Sequence, residues 1–233
     1  MKHMVKNALF SLGLIAISHG VYAAGGSKVV GDAKTGQAKA AVCGACHGMD
    51  GNSAAPTFPK LAGQGERYLL KQIHDIKEWD LETNQAKKAT TGRAVLEMTG
   101  LLAAVSDQDI ADMAAYFASQ NTQLSGSKKM EVQVNSGLKV DAMELGAKTY
   151  RAGNIANGLP ACTGCHAPDG KGNAAAGFPR LSGQHPDYIE KQLTNFRLGN
   201  RVNDGDTAPM RSIADKLSDA EIKALANFIA GLN

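Results

Sequence analysis

The strongest constraint on this chain is a short pattern used twice. All four cysteines fall in two copies of Cys-x-x-Cys-His: Cys43-Gly44-Ala45-Cys46-His47 and Cys162-Thr163-Gly164-Cys165-His166. A longer repeat surrounds them. Asp50-Gly51 through Asn52 is answered by Asp169-Gly170 through Asn173. Phe58-Pro59-Lys60-Leu61-Ala62-Gly63-Gln64 is answered by Phe178-Pro179-Arg180-Leu181-Ser182-Gly183-Gln184, and Tyr68 through Gln72 by Tyr188 through Gln192. Met98 and Met210 each stand eight residues before a serine-aspartate pair, at Ser106 and Ser218. The offset falls from 119 at Cys43/Cys162 to 112 at Met98/Met210, so the first copy carries about seven extra residues between Gln72 and Met98. Trp79 lies in that unrepeated stretch, where the sequence assigns it no role.

Each copy predicts an all-α unit. One helix is expected from about Asp32 into Cys43, with a counterpart from about Asp141 past Tyr150. A second begins near Gly65 and near Pro186, with apolar positions Leu69, Ile73 and Ile76 matched by Ile189, Leu193 and Phe196. A third opens on a capping box, Ser106-x-x-Asp109 and Ser218-x-x-Glu221. Its stripe of Ile110, Met113, Ala114 and Phe117, like that of Ile222, Leu225, Ala226 and Ile229, has the spacing of one buried helical face. Nothing alternates well enough to predict a sheet. Residues 25–120 and 140–233 are the two expected domains. Residues 121–139, polar around Lys128 and Lys129, form the expected linker, within which Met130–Val134 has the option of lying extended against a domain.

Residues 1–24 have the form of a secretory signal peptide: Lys2, His3 and Lys6, a short apolar run from Ala8 to Ile17, and a small-residue exit at Ala23-Ala24. The run is too short for a stable membrane span. Export predicts a periplasmic protein with at most peripheral membrane association. Without Lys2 and Lys6 the chain carries 23 basic against 22 acidic residues, a balance that gives no support for nucleic-acid binding. Hydrophobic residues are 43% of the chain, which excludes disorder, but aromatic ones only 5%. Two small domains so poor in large side chains make meagre cores unless something else fills them.

In an exported protein four cysteines ordinarily predict two disulfides. Here each pair is followed at once by histidine, the attachment signature of c-type haem. Two thiols bond one porphyrin edge and the histidine reaches the iron. A zinc half-site needs two further ligands, and a thioredoxin-like pair needs a βαβ setting this chain lacks. The expected cofactors are two covalent haem c groups, held by Cys43, Cys46, Cys162 and Cys165, with His47 and His166 as proximal ligands. For the sixth position the repeat aligns Met98 with Met210. Met1 and Met4 leave with the leader, Met49 is too near His47, Met130 and Met143 lie in or beside the linker, and Met113 belongs to a core stripe. Histidine-methionine ligation leaves no open coordination site and suits electron transfer, so no catalytic residue is expected. Bis-histidine ligation through His74 and His185 is the alternative, but they do not align with each other and are expected to be ordinary solvated histidines. The proximal imidazoles need acceptors for their other N–H, often a backbone carbonyl. Pro59 and Pro179 recur in the loop after each attachment site, whose neighbourhood is a candidate source, with a rigid turn as the alternative role of the prolines.

With both Cys-x-x-Cys-His motifs, both Phe-Pro-x-Leu-x-Gly-Gln loops and the Met98 and Met210 segments, the chain resembles the cytochrome c4 family over essentially its whole exported length. A longer stretch, Asn154–Ala161, precedes the second cysteine pair. The resemblance implies two class I cytochrome c domains in tandem, packed about a pseudo-twofold axis with haem propionates near the interface. It also implies redox partner proteins: a quinol-oxidising complex as donor, and a terminal oxidase or another periplasmic acceptor. The alternatives are the dihaem subunit of a periplasmic dehydrogenase or flavocytochrome, a haem peroxidase with one displaceable ligand, and a disulfide-bonded binding module.

Overall fold

The computed structural model describes residues 29–233, so the expected leader at 1–24 lies outside the described residues. Two helical halves follow one another. The first contains α1 (Ala33–Lys39), α2 (Ala41–His47), α3 (Glu66–Leu81), α4 (Gln85–Thr90) and α5 (Asp107–Ala118). The second contains α6 (Ala142–Ala152), α7 (Thr163–His166), α8 (Pro186–Arg197), α9 (Pro209–Ala214) and α10 (Asp219–Gly231). Both predicted capping boxes are formed: Ser106 and Ser218 each accept from the backbone of the acidic residue three places on, whose carboxylate reaches back. The first helix of each half crosses the last. Ile110, Met113, Ala114 and Phe117 are buried in one crossing, and Ile222, Leu225, Ala226 and Ile229 in the other.

Glycine sets how closely those helices approach. A Cβ on Gly36 would lie 1.9 Å from the carbonyl oxygen of Asp112, and one on Gly146 would lie 2.3 Å from that of Ala224. Any side chain there wedges the pair apart.

The helix expected from Asp32 into Cys43 is two helices. Ala40, 1% exposed and packed among Leu69, Met113 and Phe117, takes a turn conformation, and Cys43 N–H bonds its carbonyl at 2.9 Å. Burying Ala40 bends the chain, so the cysteine-bearing turn leaves on a new axis. In the second half α6 stops at Gly153, and the extra residues form a tight loop closed by the Asn154–Leu159 bridge before α7. The extra residues of the first half include α4, which folds over Trp79. Lys88 Nζ stands 4.5 Å from the ring centroid, and Gly92 packs against the Trp79 side chain. Trp79 thus anchors the insertion.

Residues 131–141 form the one sheet among the described residues. Strands β1 (Glu131–Gln133) and β2 (Lys139–Asp141) pair antiparallel, with Val132 opposite Val140. Val132 is buried against Ala142, Ala220 and Ala224, so the extended alternative is the one adopted. Two strands of three residues show no clear alternation, which is why the pattern is faint in sequence. Ahead of the hairpin, Ser125 and Gly126 donate to the carbonyls of Gly183 and Ala230, and Asn227 brackets the backbone of Lys128. This segment is strapped to the second half.

The two halves meet through a self-complementary polar contact. Gln184 accepts from Lys60 N–H at 2.9 Å and donates to Lys60 C=O at 2.9 Å. Gln64 accepts from Arg180 N–H at 2.7 Å and donates to Arg180 C=O at 2.9 Å. These residues are each other's repeat equivalents, so the contact is isologous in form. His185 is not the solvated residue expected. It is 7% exposed, and its Nε2 donates to the carbonyl of Ser53 in the other half while Nδ1 meets Ser125 Oγ. His74 is partly exposed, 3.9 Å from Asp107.

Replacing Gly146 by Ala should cost about 1–3 kcal/mol by overpacking, read as a fall in unfolding temperature with haem still attached. A pH dependence follows from His185. Burial, opposed by the Ser53 carbonyl, holds its imidazole below its ordinary value of 6.5. The unfolded chain therefore binds that proton first. The contribution of His185 is whole above its ordinary value and is lost as pH falls below it. Urea midpoints at about pH 7.5 and about pH 5.5 should differ less for His185→Gln than for the unsubstituted chain; an equal difference would sink this account.

Candidate functional site

His47 ends α2 and His166 ends α7, and they are 9% and 8% exposed. In each the Nδ1 faces a proline carbonyl: Pro59 at 2.8 Å and Pro179 at 3.0 Å. A carbonyl only accepts, so Nδ1 carries the proton and Nε2 presents its lone pair. That is the tautomer a metal requires. Burial lowers both imidazole pKa values, against the raising effect of the proline carbonyls; Arg93 lowers that of His47 further. Both shifts favour the neutral ring. Phe58 and Phe178 flank the two imidazoles, with centroids 6.1 and 6.4 Å away.

The cysteines share the same short helices. All four thiols are free in the structure; Cys43 and Cys162 are half-buried, Cys46 and Cys165 exposed. Burial pushes Cys43 and Cys162 up to about 11, the opposite of what an active dithiol needs. No group of three or more His, Cys, Asp or Glu side chains stands in metal-holding array among the described residues. The chain leaves each histidine through a positive φ, 79° at Gly48 and 64° at Ala167. Glycine takes this conformation freely, whereas Ala167 is held there with its carbonyl accepting from Tyr150 OH at 2.7 Å.

Met98 closes the 3-10 turn Leu96–Met98, and Met210 is the second residue of α9, just after left-handed Ala208 and Pro209. Both are half-buried. Met113, 2% exposed, packs in the first core beside Cys43, as its stripe position predicts.

Sequence reasoning did not single out Arg93 and Arg201, buried at 8% and 7% exposure between the halves. Arg93 donates to Gln72 of its own half and to Tyr188 OH of the other, at 2.9 and 2.7 Å. Arg201 mirrors it, donating to Gln192 at 2.8 Å and across to Tyr68 OH at 3.1 Å. The repeated Tyr and Gln were a visible signal for this cluster; the arginines, at unequal distances from Met98 and Met210, were not. Asp75 bonds Asn203 and Lys71 but neither guanidinium. The hydrogen bonds of both guanidiniums go to neutral groups, with Asp75 near Arg93 but not bonded to it, and this setting has room for a cofactor that brings its own carboxylates. Free thiols, imidazoles presenting Nε2 and half-buried methionines fit the rest of a haem.

The cytochrome c family profile matches residues 33–121 and 143–233. Cytochrome c4 of Azotobacter vinelandii is 52% identical over 233 residues, the full length of both chains. The crystal structure of reduced recombinant cytochrome c4 from Pseudomonas stutzeri has a TM-score of 0.79 at 54% identity, covering 88% of this chain and 100% of that one. The thiosulfate dehydrogenase electron acceptor of Stutzerimonas stutzeri is 30% identical over 225 residues, 96% of this chain and 94% of its own. With two cytochrome c domains in tandem and two covalently bound haem c groups, the chain belongs to the cytochrome c4 family.

Proposed function

We propose that this chain is an exported dihaem carrier that keeps both axial ligands on each iron while single electrons pass through it. The observation behind the reading is the matched setting of His47 and His166: two buried imidazoles, each with Nδ1 bound to a proline carbonyl. In this reading residues 25–120 and 140–233 are the haem domains. Cys43 and Cys46 attach one haem, and Cys162 and Cys165 the other. His47 with Met98, and His166 with Met210, are the axial pairs. Each haem supplies reversible one-electron chemistry between ferrous and ferric iron. The protein's part is to hold the ligands, set the potential and exclude water. The proline carbonyls fix the imidazoles and make them better donors, and thioether sulfur favours the ferrous state. No helix among the described residues is long and apolar enough to cross a membrane, which fits the periplasmic, at most peripheral, location inferred from the leader.

The proposed donor is a quinol-oxidising complex and the acceptor a terminal oxidase, met in brief encounters through small contacts. A second reading, that the donor is a periplasmic dehydrogenase, draws on the similarity to the thiosulfate dehydrogenase electron acceptor. Reduction by purified quinol-oxidising complex or by dehydrogenase separates the two. Met98→Ala should abolish the near-infrared methionine-iron band of one haem and lower that haem's potential on the order of 0.1 V. Met210→Ala should do the same to the other. Unchanged potentials and an intact band in either variant would remove that methionine from the ligand set.

A further inference from the structure

The hydrogen bonds at the proximal histidines do not end on the prolines. The carbonyl of Pro59 and the N–H of Lys60 belong to one peptide group. The carbonyl accepts from His47 Nδ1 at 2.8 Å, and the N–H donates to Gln184 Oε1 of the other domain at 2.9 Å. The second domain repeats this. The Pro179 carbonyl accepts from His166 Nδ1 at 3.0 Å, and the Arg180 N–H of the same peptide donates to Gln64 Oε1 at 2.7 Å. The orientation of each glutamine amide is unambiguous, because its other end donates to the carbonyl of residue 60 or 180. Lys60, Gln64 and Gln184 are 8%, 7% and 7% exposed and Arg180 is half-buried. The Gln184–Lys60 bonds are buried and the Gln64–Arg180 bonds partly so, which limits competition from water.

Hydrogen bonds in such a chain polarise one another. An acceptor on the N–H of a peptide draws its π electrons toward the carbonyl oxygen. That oxygen then pulls harder on the imidazole proton, and the imidazole becomes a stronger donor to its metal. We infer that Gln184 and Gln64 are crosswise positioning residues: the glutamine of each domain tunes the axial histidine of the other through peptides 59–60 and 179–180. The inference rests on His47 and His166 being axial ligands. It adds that docking of the domains is part of what sets the two potentials, and that each haem answers to a residue of the opposite domain.

A stronger donor favours ferric iron, so losing the glutamine acceptor should raise a potential. The test uses full-length, two-haem protein, with Gln64 and Gln184 replaced singly. Gln184→Met should raise the potential of the haem held by His47, and shift the ferrous-state Nδ1 proton resonance of His47 upfield, with the His166 haem nearly unmoved. Gln64→Met should raise the potential of the His166 haem and move the His166 proton. Gln184→Glu keeps an acceptor toward Lys60 N–H and makes it stronger, so it should move the His47 proton and potential in the opposite sense to Met. Simple undocking shifts both haems, and shifts them the same way in the Met and Glu variants; that pattern overturns the inference. So does a shift confined to the haem of the glutamine's own domain. If the methionine-iron bands of both haems persist while the crossed pattern is missing, this inference fails and the ligand assignment stands. Absence of those bands in the unsubstituted protein removes the ligand assignment instead.

Discussion

Two peptide groups carry more of this structure than their size suggests. Peptide 59–60 fixes the tautomer of His47 with its oxygen and docks the second domain with its nitrogen, and peptide 179–180 does the same for His166 and the first domain. The Phe-Pro-x-Leu-x-Gly-Gln loop is where both duties are written. Its proline carbonyl serves its own histidine, its next residue offers a backbone to the partner domain, and its last glutamine reads the partner's backbone. A loop that is both lock and key to its own copy gives a twofold contact once the chain is duplicated. The histidine geometry and the domain packing are therefore one constraint.

The interface is polar to an unusual degree for a buried surface. Gln64, Gln72, Gln184, Arg93, Arg201 and Asn203 are all at most 8% exposed, and each has hydrogen-bond partners. A satisfied polar network contributes less net stability than apolar packing, but it specifies one arrangement, because any slip strands a buried donor. For a protein with two redox centres, a fixed relation between the halves is the property worth having. The two guanidiniums hydrogen-bond only neutral groups among the described residues, with the charge of Asp75 near Arg93.

The halves are not copies in detail. The first carries α4, folded over Trp79, and ties α1 to α5 through Lys39 with Asp109 and Asp112, both at 2.6 Å. The second has the β-hairpin strap, the Asn154–Leu159 loop and a larger apolar cluster around Tyr150, Leu225 and Phe228. Gly48 in one copy is Ala167 in the other, and the second pays for the difference in backbone strain. Ala62 is replaced by Ser182, whose buried hydroxyl has no partner among the described residues. Two irons in such different surroundings have no reason to share a potential.

What the sequence determined by itself was whatever depends on local spacing or on comparing one copy with the other. Two thiols and an imidazole within five residues define haem attachment wherever the chain goes, and helical faces and capping boxes follow from periods of three and four residues. The repeat also singles out Met98 and Met210 as the proposed sixth ligands, because a copied segment preserves its order. Only the tertiary structure decided what depends on distant segments meeting. The bend at buried Ala40, the burial of His185 between domains, the anchoring role of Trp79, the Arg93 and Arg201 cluster and the crossed glutamine bonds each join residues that no local period connects. Gln64 and Gln184 mark the boundary between the two kinds of knowledge. Their repetition is plain in the sequence, but a glutamine side chain is equally at home in solvent, and only the docked fold shows the peptide it was kept to meet.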